Sequence, residues 1–501
     1  MKYRVKRIDI DGDPIVIMNY SDALRENIPP SKRARVINDG RTVYVHVLVS
    51  KTMVPPGYVA LNDKALAMLR VNEGDEVTVR IPPAPKSIRV IHKRLHGDRL
   101  SEDEISEIVE EVVSGSLGEA EIAAFLASQI PIPLSNEELT SLIKAMAYAS
   151  EVLEFDEPAY DEHSIGGVPG NSKVALIAVP TIASSGVLIP KTSSRAITSP
   201  AGTADTMEIL TRVDLSPEEI RGVAKKVRGT IVWGGALNIA VADDIFVEVE
   251  RKLMIDPISQ MIASILSKKV AMGIKGLVID IPIGKGAKVQ DYSSADKIAG
   301  LFISQCGRLG INVKVALTFG GEPIGRTIGP ALEAKEALKT LIERKGAHSL
   351  VDKAVSIAGL VLELAGKAEK GMGETLAREL FTSGKSYEKM RQIIEAQGGN
   401  PNIKPDEIPI GPYKYTVESS IEGAITHIDN VAMSLIARAA GAPSDKGAGI
   451  YLHAKLGHRV RKGDPLFTVY SSSETRLDAA IKLIELYKPV IVEGMLIKSL
   501  P

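Results

Sequence analysis

Asp161-Glu162-His163-Ser164-Ile165-Gly166-Gly167-Val168-Pro169-Gly170-Asn171-Ser172-Lys173 runs directly into the apolar stretch 174–185. A glycine-rich loop between an extended run and a helix is how an α/β sheet makes a ligand edge. Glycines let backbone amides approach an anion, and the free amides at a helix start favour negative charge. The loop is neither a Walker-type phosphate loop nor a GxGxxG followed by a ribose-binding acid. By itself it reads either as an anion site or as a plain strand-to-helix turn.

Outward from this loop the same pattern repeats. From 164 on, strand-like apolar runs alternate with helices, and each run ends in a loop rich in glycine or hydroxyls, which predicts an α/β fold with one ligand edge. The run 276–283 ends in Gly284-Lys285-Gly286-Ala287-Lys288, whose lysines can serve as mobile charges for phosphate or simply sit in a solvated turn. The run 311–318 ends in Gly320-Gly321.

Thr192-Ser193-Ser194-Arg195-Ala196-Ile197-Thr198-Ser199-Pro200-Ala201-Gly202-Thr203 packs six hydroxyls and an arginine into twelve residues ahead of a helix at 204–210. That is more hydrogen-bonding capacity than a turn needs, although a solvated loop is the alternative. Asp256-Pro257 opens a helix in which Gln260, Ser264 and Lys268 share a face; it reads as an N-cap, or as a polar stripe lining a cleft.

The flanks differ in kind. Short β-branched runs separated by Asp-Gly and Pro-Pro turns over 1–86 predict a small β-barrel, closed off by the stiff Pro82-Pro83-Ala84-Pro85. Within it, 57–79 resembles a double-psi barrel half-repeat, the alternative being an unclassified β-roll used for packing between subunits. Capping boxes at Ser101/Glu104 and Ser135/Glu138 start amphipathic helices in a helical lobe at 87–158, joined in space by 240–272. The α/β lobe covers 159–403, with helices over 332–396. A β-rich module covers 404–501, where 457–466 looks like a biotinyl-type hairpin without the lysine such carriers modify. No internal repeat of 20–50 residues is evident.

Composition excludes several classes. Of 501 residues, 61 are Lys or Arg and 62 Asp or Glu, and 4% are aromatic, so a general nucleic-acid surface is not expected. The single cysteine, Cys306, reads as a buried apolar residue in a reducing compartment. The N-terminus lacks a signal-type apolar stretch and no run spans a bilayer, which predicts a soluble, cytoplasmic protein.

Four segments, His163-Ser164-Ile165-Gly166-Gly167-Val168, Ser193-Ser194-Arg195 with Thr203, Ser264-Ile265-Leu266-Ser267-Lys268-Lys269, and 280–288, occur in the order that resembles the thymidine/pyrimidine-nucleoside phosphorylase family across nearly all of 87–501. The N-terminal barrel and the strings 192–199 and 280–288 resemble its archaeal-type branch. The resemblance implies a helical lobe and a mixed α/β lobe with a cleft between them, and a homodimer or larger homo-oligomer. It implies reversible phosphorolysis of nucleoside 5′-monophosphates, AMP with CMP and UMP as further candidates, to free base and ribose 1,5-bisphosphate. The partners are then a nucleotide and inorganic phosphate as co-substrate, with no metal, other cofactor, nucleic-acid polymer or membrane.

By the same resemblance Ser164, Gly167, Lys173, Ser193 and Thr203 lie near phosphate groups. Asp256, Ser264 and Lys268 face the base from the helical lobe, Asp256 as general acid, a role that requires burial to raise its pKa. A second anion in the site needs extra donors, expected from Arg195, Lys288 and the run Ser194, Ala196, Ile197, Thr198 and Ser199. Pyrimidine-specific relatives carry a lysine before the His-Ser pair where this chain has Glu162, and Lys173 is the expected substitute. They also carry an arginine near Glu250 and Arg251. The rival readings are a nucleoside phosphorylase acting on unphosphorylated substrate, a Mg²⁺-dependent phosphoribosyltransferase, and a nucleotide-sensing or RNA-binding protein.

Overall fold

The computed structural model describes residues 1–28, 30, 33–196, 199–237 and 241–494, without the side chains of Ala236 and Leu237. The chain forms two compact units, Met1–Ala145 with Ala242–Pro257, and Met146–Val241 with Ile258–Pro501.

In the first unit, β1 (Lys2–Ile8), β2 (Ile15–Asn19), β3 (Arg33–Asn38), β4 (Arg41–Ser50), β5 (Tyr58–Asn62) and β6 (Glu76–Arg80) close a barrel in the order β1-β5-β2-β4-β3-β6. Alternating Val, Ala and Leu side chains point inward and are fully buried. The pairs β1/β5 and β2/β4 are parallel and the rest antiparallel. Renumbering every strand by three positions reproduces this pairing, so the barrel is two equivalent halves.

Asn19 and Asn62 mark the repeat. Each ends the second strand of its half and caps the following helix, through Ser21 N at 2.9 Å and Ala65 N at 3.3 Å. Each also reaches the opposite half: Asn19 Nδ2 donates to Val54 O at 2.7 Å and Asn62 Nδ2 to Asp13 O at 3.0 Å. This corrects the expectation of no internal repeat. A small barrel interior accepts almost any β-branched or small residue, so the halves share pairing and one asparagine rather than a run of identical residues.

The helices Ile88–Leu95, Glu102–Val113, Glu119–Ser128 and Asn136–Tyr148 form the helical part. Both capping boxes are closed, Glu104 N to Ser101 Oγ at 3.2 Å with Ser101 N to Glu104 Oε2 at 2.8 Å, and the same reciprocal pair between Ser135 and Glu138. The segment 240–272 divides at Pro257: Ala242–Pro257 groups with this unit, whereas the helix Ile258–Ala271 groups with the second.

In the second unit, β7 (Ala159–Ser164), β10 (Ile274–Ile283) and β11 (Asn312–Phe319) pair in parallel, as do β8 (Ile189–Ser193) and β9 (Gly229–Trp233). A parallel bridge from Ala159 to Leu188 joins the two sets in the order β11-β10-β7-β8-β9. Parallel strands bring all carboxyl ends to one edge, where Ser164, Ser193, Trp233, Ile283 and Phe319 hand over to the loops. Every residue from Val174 to Ala183 of the helix Val174–Ser184 is buried, which explains why this segment is apolar on all faces. It packs with the helices Pro330–Glu343, His348–Leu364 and Lys385–Ala396 into the main core.

The chain then forms β12 (Thr327–Ile328), β13 (Tyr413–Glu418), β14 (Gly423–Ile428), β15 (Gly449–Leu452), β16 (Arg459–Val460), β17 (Pro465–Ser471) and β18 (Val490–Glu493). They make two sheets, β12-β15-β17-β13 and β16-β14-β18, packed with the helices Asn430–Ala439 and Glu474–Tyr487. Among the described residues no helix is long and apolar enough to cross a membrane.

Candidate active site

Three glycine loops meet at the carboxyl edge because no side chain stands between them. A Cβ on Gly167 would lie 2.5 Å from Lys288 N, and Gly167 has φ +89°, so the first loop rests on the backbone of the 284–288 loop. A Cβ on Gly284 would lie 2.4 Å from Gly321 N, which brings in the third loop. The hydroxyl loop joins from the other side, where Thr203 Oγ1 donates to Ser172 O at 3.1 Å. A Cβ on Gly202 would lie 2.6 Å from Ser194 O, so the 194–203 loop is folded back on itself.

Cations gather at this edge. Burial first, then the charges of Lys269, Lys191, Lys268 and Lys288, hold His163 well below the ordinary imidazole value, so its ring is neutral at physiological pH. Its buried Nδ1 has no hydrogen-bond partner among the described residues. The helix Ile258–Ala271 borders the loops: the Lys268 stem lies 3.7 Å from where a Cβ on Gly234 would stand, and Lys288 Nζ lies 3.6 Å from Met261 Sδ.

Beneath the edge runs a buried charge array that the sequence reading passed over. Lys269 Nζ donates to Asp161 Oδ2 at 2.6 Å, and Lys191 Nζ donates to Glu162 O at 2.6 Å and lies 3.5 Å from Glu162 Oε1. Burial raises the Glu162 carboxyl and pulls Lys269 down to about 8. Asp161 and Lys269 stand at the ends of the quoted motifs, yet only the β7 register facing the helix Ile258–Ala271 makes them a pair. Glu162 is thus a partner of Lys191.

Several assigned residues land at the edge. Ser164 and Thr203 are half-buried, and Gly167, Ser194 and Lys288 are exposed. Ala196 and Ser199 are half-buried; Ala196 N donates to Asp205 Oδ2 at 2.8 Å and Ser199 Oγ to Ala201 O at 3.1 Å. Ser193 is buried, with Oγ donating to Val232 O at 3.3 Å. Ser264 and Lys268 are half-buried on one helix face. Ile197 and Thr198 lie outside the described residues.

Three assigned residues stand in settings the resemblance did not imply. Lys173 cannot replace the missing phosphate-binding lysine: it is 0% exposed, and its Nζ is spent on Thr327 O at 2.6 Å and Glu336 Oε2 at 3.1 Å. The Arg195 guanidinium is not a free phosphate fork, because it grips Glu208 at 2.5 and 2.8 Å and Asp205 at 3.2 Å, stacked 4.6 Å from the Trp233 ring. Asp256, in the first unit, is exposed, so the fold alone does not supply the burial a general acid needs.

The chain is 53% identical over 499 residues to the AMP phosphorylase of Hyperthermus butylicus, with 99% of each chain covered. The AMP phosphorylases of Pyrococcus furiosus and Methanocaldococcus jannaschii are each 46% identical, again over 99% of both chains. The chain belongs to the AMP phosphorylase family. Its parts match the family models for the glycosyl transferase family helical bundle domain over 88–150, the glycosyl transferase family a/b domain over 156–387, and the pyrimidine nucleoside phosphorylase C-terminal domain over 424–487. Anthranilate phosphoribosyltransferase from Thermus thermophilus has the same core fold, with a TM-score of 0.52 at 19% identity over 61% of this chain and 98% of that one.

Proposed function

We infer that this AMP phosphorylase family member is a pentosyltransferase that breaks the C1′–N bond of nucleoside 5′-monophosphates, AMP foremost. A phosphate oxygen forms the new bond to C1′, the C1′–N electron pair leaves with the base, and the products are free base and ribose 1,5-bisphosphate. The convergence of three glycine loops at an edge that also holds Lys268 and Lys288 carries this reading. Two anions meeting at one site repel by several kcal/mol unless offset, and such an edge is built to offset them.

In this reading Gly167, Ser194, Ala196, Ser199, Thr203 and Lys288 hold the phosphate groups, Ile197 and Thr198 belonging to the same run. Ser264 and Lys268 approach the base or sugar, and Ser164 and Ser193 shape the loops. Asp256 protonates the departing base once the bound nucleotide covers it and removes it from water. Inorganic phosphate is the co-substrate, no metal or other cofactor takes part, and the enzyme acts as a cytoplasmic homo-oligomer.

Base release from AMP, CMP, UMP, adenosine, uridine and thymidine, measured by chromatography with and without phosphate, tests this. Phosphate-dependent release from the monophosphates is expected. Turnover of the nucleosides alone would overturn it in favour of a pyrimidine-nucleoside phosphorylase.

A further inference from the structure

The C-terminal module carries a lysine onto the hydroxyl loop. Lys446, in the turn 441–448, places its Nζ 3.2 Å from Asp205 Oδ1 and 2.9 Å from Glu208 Oε2. The turn is anchored on both sides. Lys446 O accepts from Ala331 N at 3.0 Å, and Asp445 accepts from Ser472 N and Oγ, each at 2.8 Å.

The two carboxylates it touches shape the loop. Asp205 is buried, and its Oδ2 accepts from Ala196 N at 2.8 Å and from Gly202 N at 3.0 Å, tying the two ends of the loop together. Glu208 holds the Arg195 fork. Two carboxylates, Arg195 and Lys446 make a neutral cluster; without Lys446 it carries one uncompensated negative charge beside the loop.

We propose that Lys446 is a positioning residue for the 194–203 loop, holding Asp205 and Glu208 in place and cancelling their charge before a phosphate group arrives. The proposal rests on the reading of this loop as phosphate-binding. A carboxylate left unpaired within a few ångströms of a phosphate repels it, and at a partly buried site salt screens this poorly. The phosphate is either the nucleotide's 5′-group or the inorganic co-substrate.

The test uses the full chain with AMP and inorganic phosphate varied separately. Lys446→Met is expected to raise one KM about tenfold while kcat stays within about threefold. A change in the KM for AMP places the 5′-phosphate at this loop, and a change in the KM for inorganic phosphate places the co-substrate there. Lys446→Arg restores the wild-type value. Adding Glu208→Gln to Lys446→Met removes the excess charge and recovers most of the loss, which a merely structural role would not produce. Unchanged KM values in Lys446→Met, or a double variant worse than the single, would overturn the proposal. A wild-type chain that releases no base from AMP would instead bring down the functional reading; calorimetric binding of AMP and of phosphate to wild type and Lys446→Met would still decide the role of Lys446.

Discussion

Lys173 and Lys288 come from glycine loops of similar composition and end in opposite states. Lys173 is fully buried and bound to Glu336 and Thr327, where it fastens the first loop to the segment before the helix Pro330–Glu343. Lys288 is exposed at the edge, its backbone pressed against Gly167. A lysine near a glycine loop can therefore meet a phosphate only if the fold leaves it at the surface rather than burying it. Arg195, held by carboxylates, falls on the Lys173 side of that division.

The comparison breaks first at Lys173 if it breaks at all. Lys173→Met leaves the Glu336 carboxylate facing a dry side chain and is expected to cost about 3–5 kcal/mol in denaturant unfolding, because one partner of a buried pair is removed. The folded fraction should keep its KM for inorganic phosphate. A raised KM with normal stability would return Lys173 to the phosphate site.

Asp256→Asn is expected to lower kcat by about 10²-fold or more at an unchanged melting temperature, since an exposed residue has little packing to lose. Near-normal kcat with a lower melting temperature would leave it a helix cap. Lys288→Ala is expected to raise the KM for AMP about tenfold, more than that for adenosine, without loss of stability. Equal effects on both would remove its 5′-phosphate role.

A smaller effect tests the Arg195 side of the division. Hydrogen bonding from Arg195, against the opposing cost of burial and with Lys446 adding to it, lowers Glu208 to about 2 from the ordinary carboxyl value of 4.5. A depressed carboxyl stabilises the fold above its unfolded pKa, and that contribution fades as pH falls from about 4.5 through about 2. With about a third of the side chain exposed, solvent screening leaves about 1–2 kcal/mol, and Glu208→Gln should flatten this part of an acid-unfolding curve. EDTA is expected to change neither kcat nor KM; metal-restored activity would overturn the metal-free mechanism.

Local chemistry made much of the molecule legible. The capping boxes, the apolar helix Val174–Ser184 and the strand-then-glycine-loop rhythm are set by residues close in sequence, so periodicity and capping rules reach them. The order of the loop motifs carried the resemblance to phosphorylases for the same reason. The barrel repeat was legible only as the resemblance of 57–79 to a double-psi half-repeat, because its two halves are alike in pairing and little in residue identity.

By itself the sequence determined which loops hold glycines and hydroxyls, where helices start, and which side chains are available to meet an anion. Only the tertiary structure decided which charges are already neutralised. Lys173 meets Glu336, Lys269 meets Asp161, and Arg195 shares Asp205 and Glu208 with Lys446, pairs in which at least one partner comes from a distant element. A buried charge is stable only when paired, and which partner arrives is fixed by packing of distant elements, which local sequence does not encode.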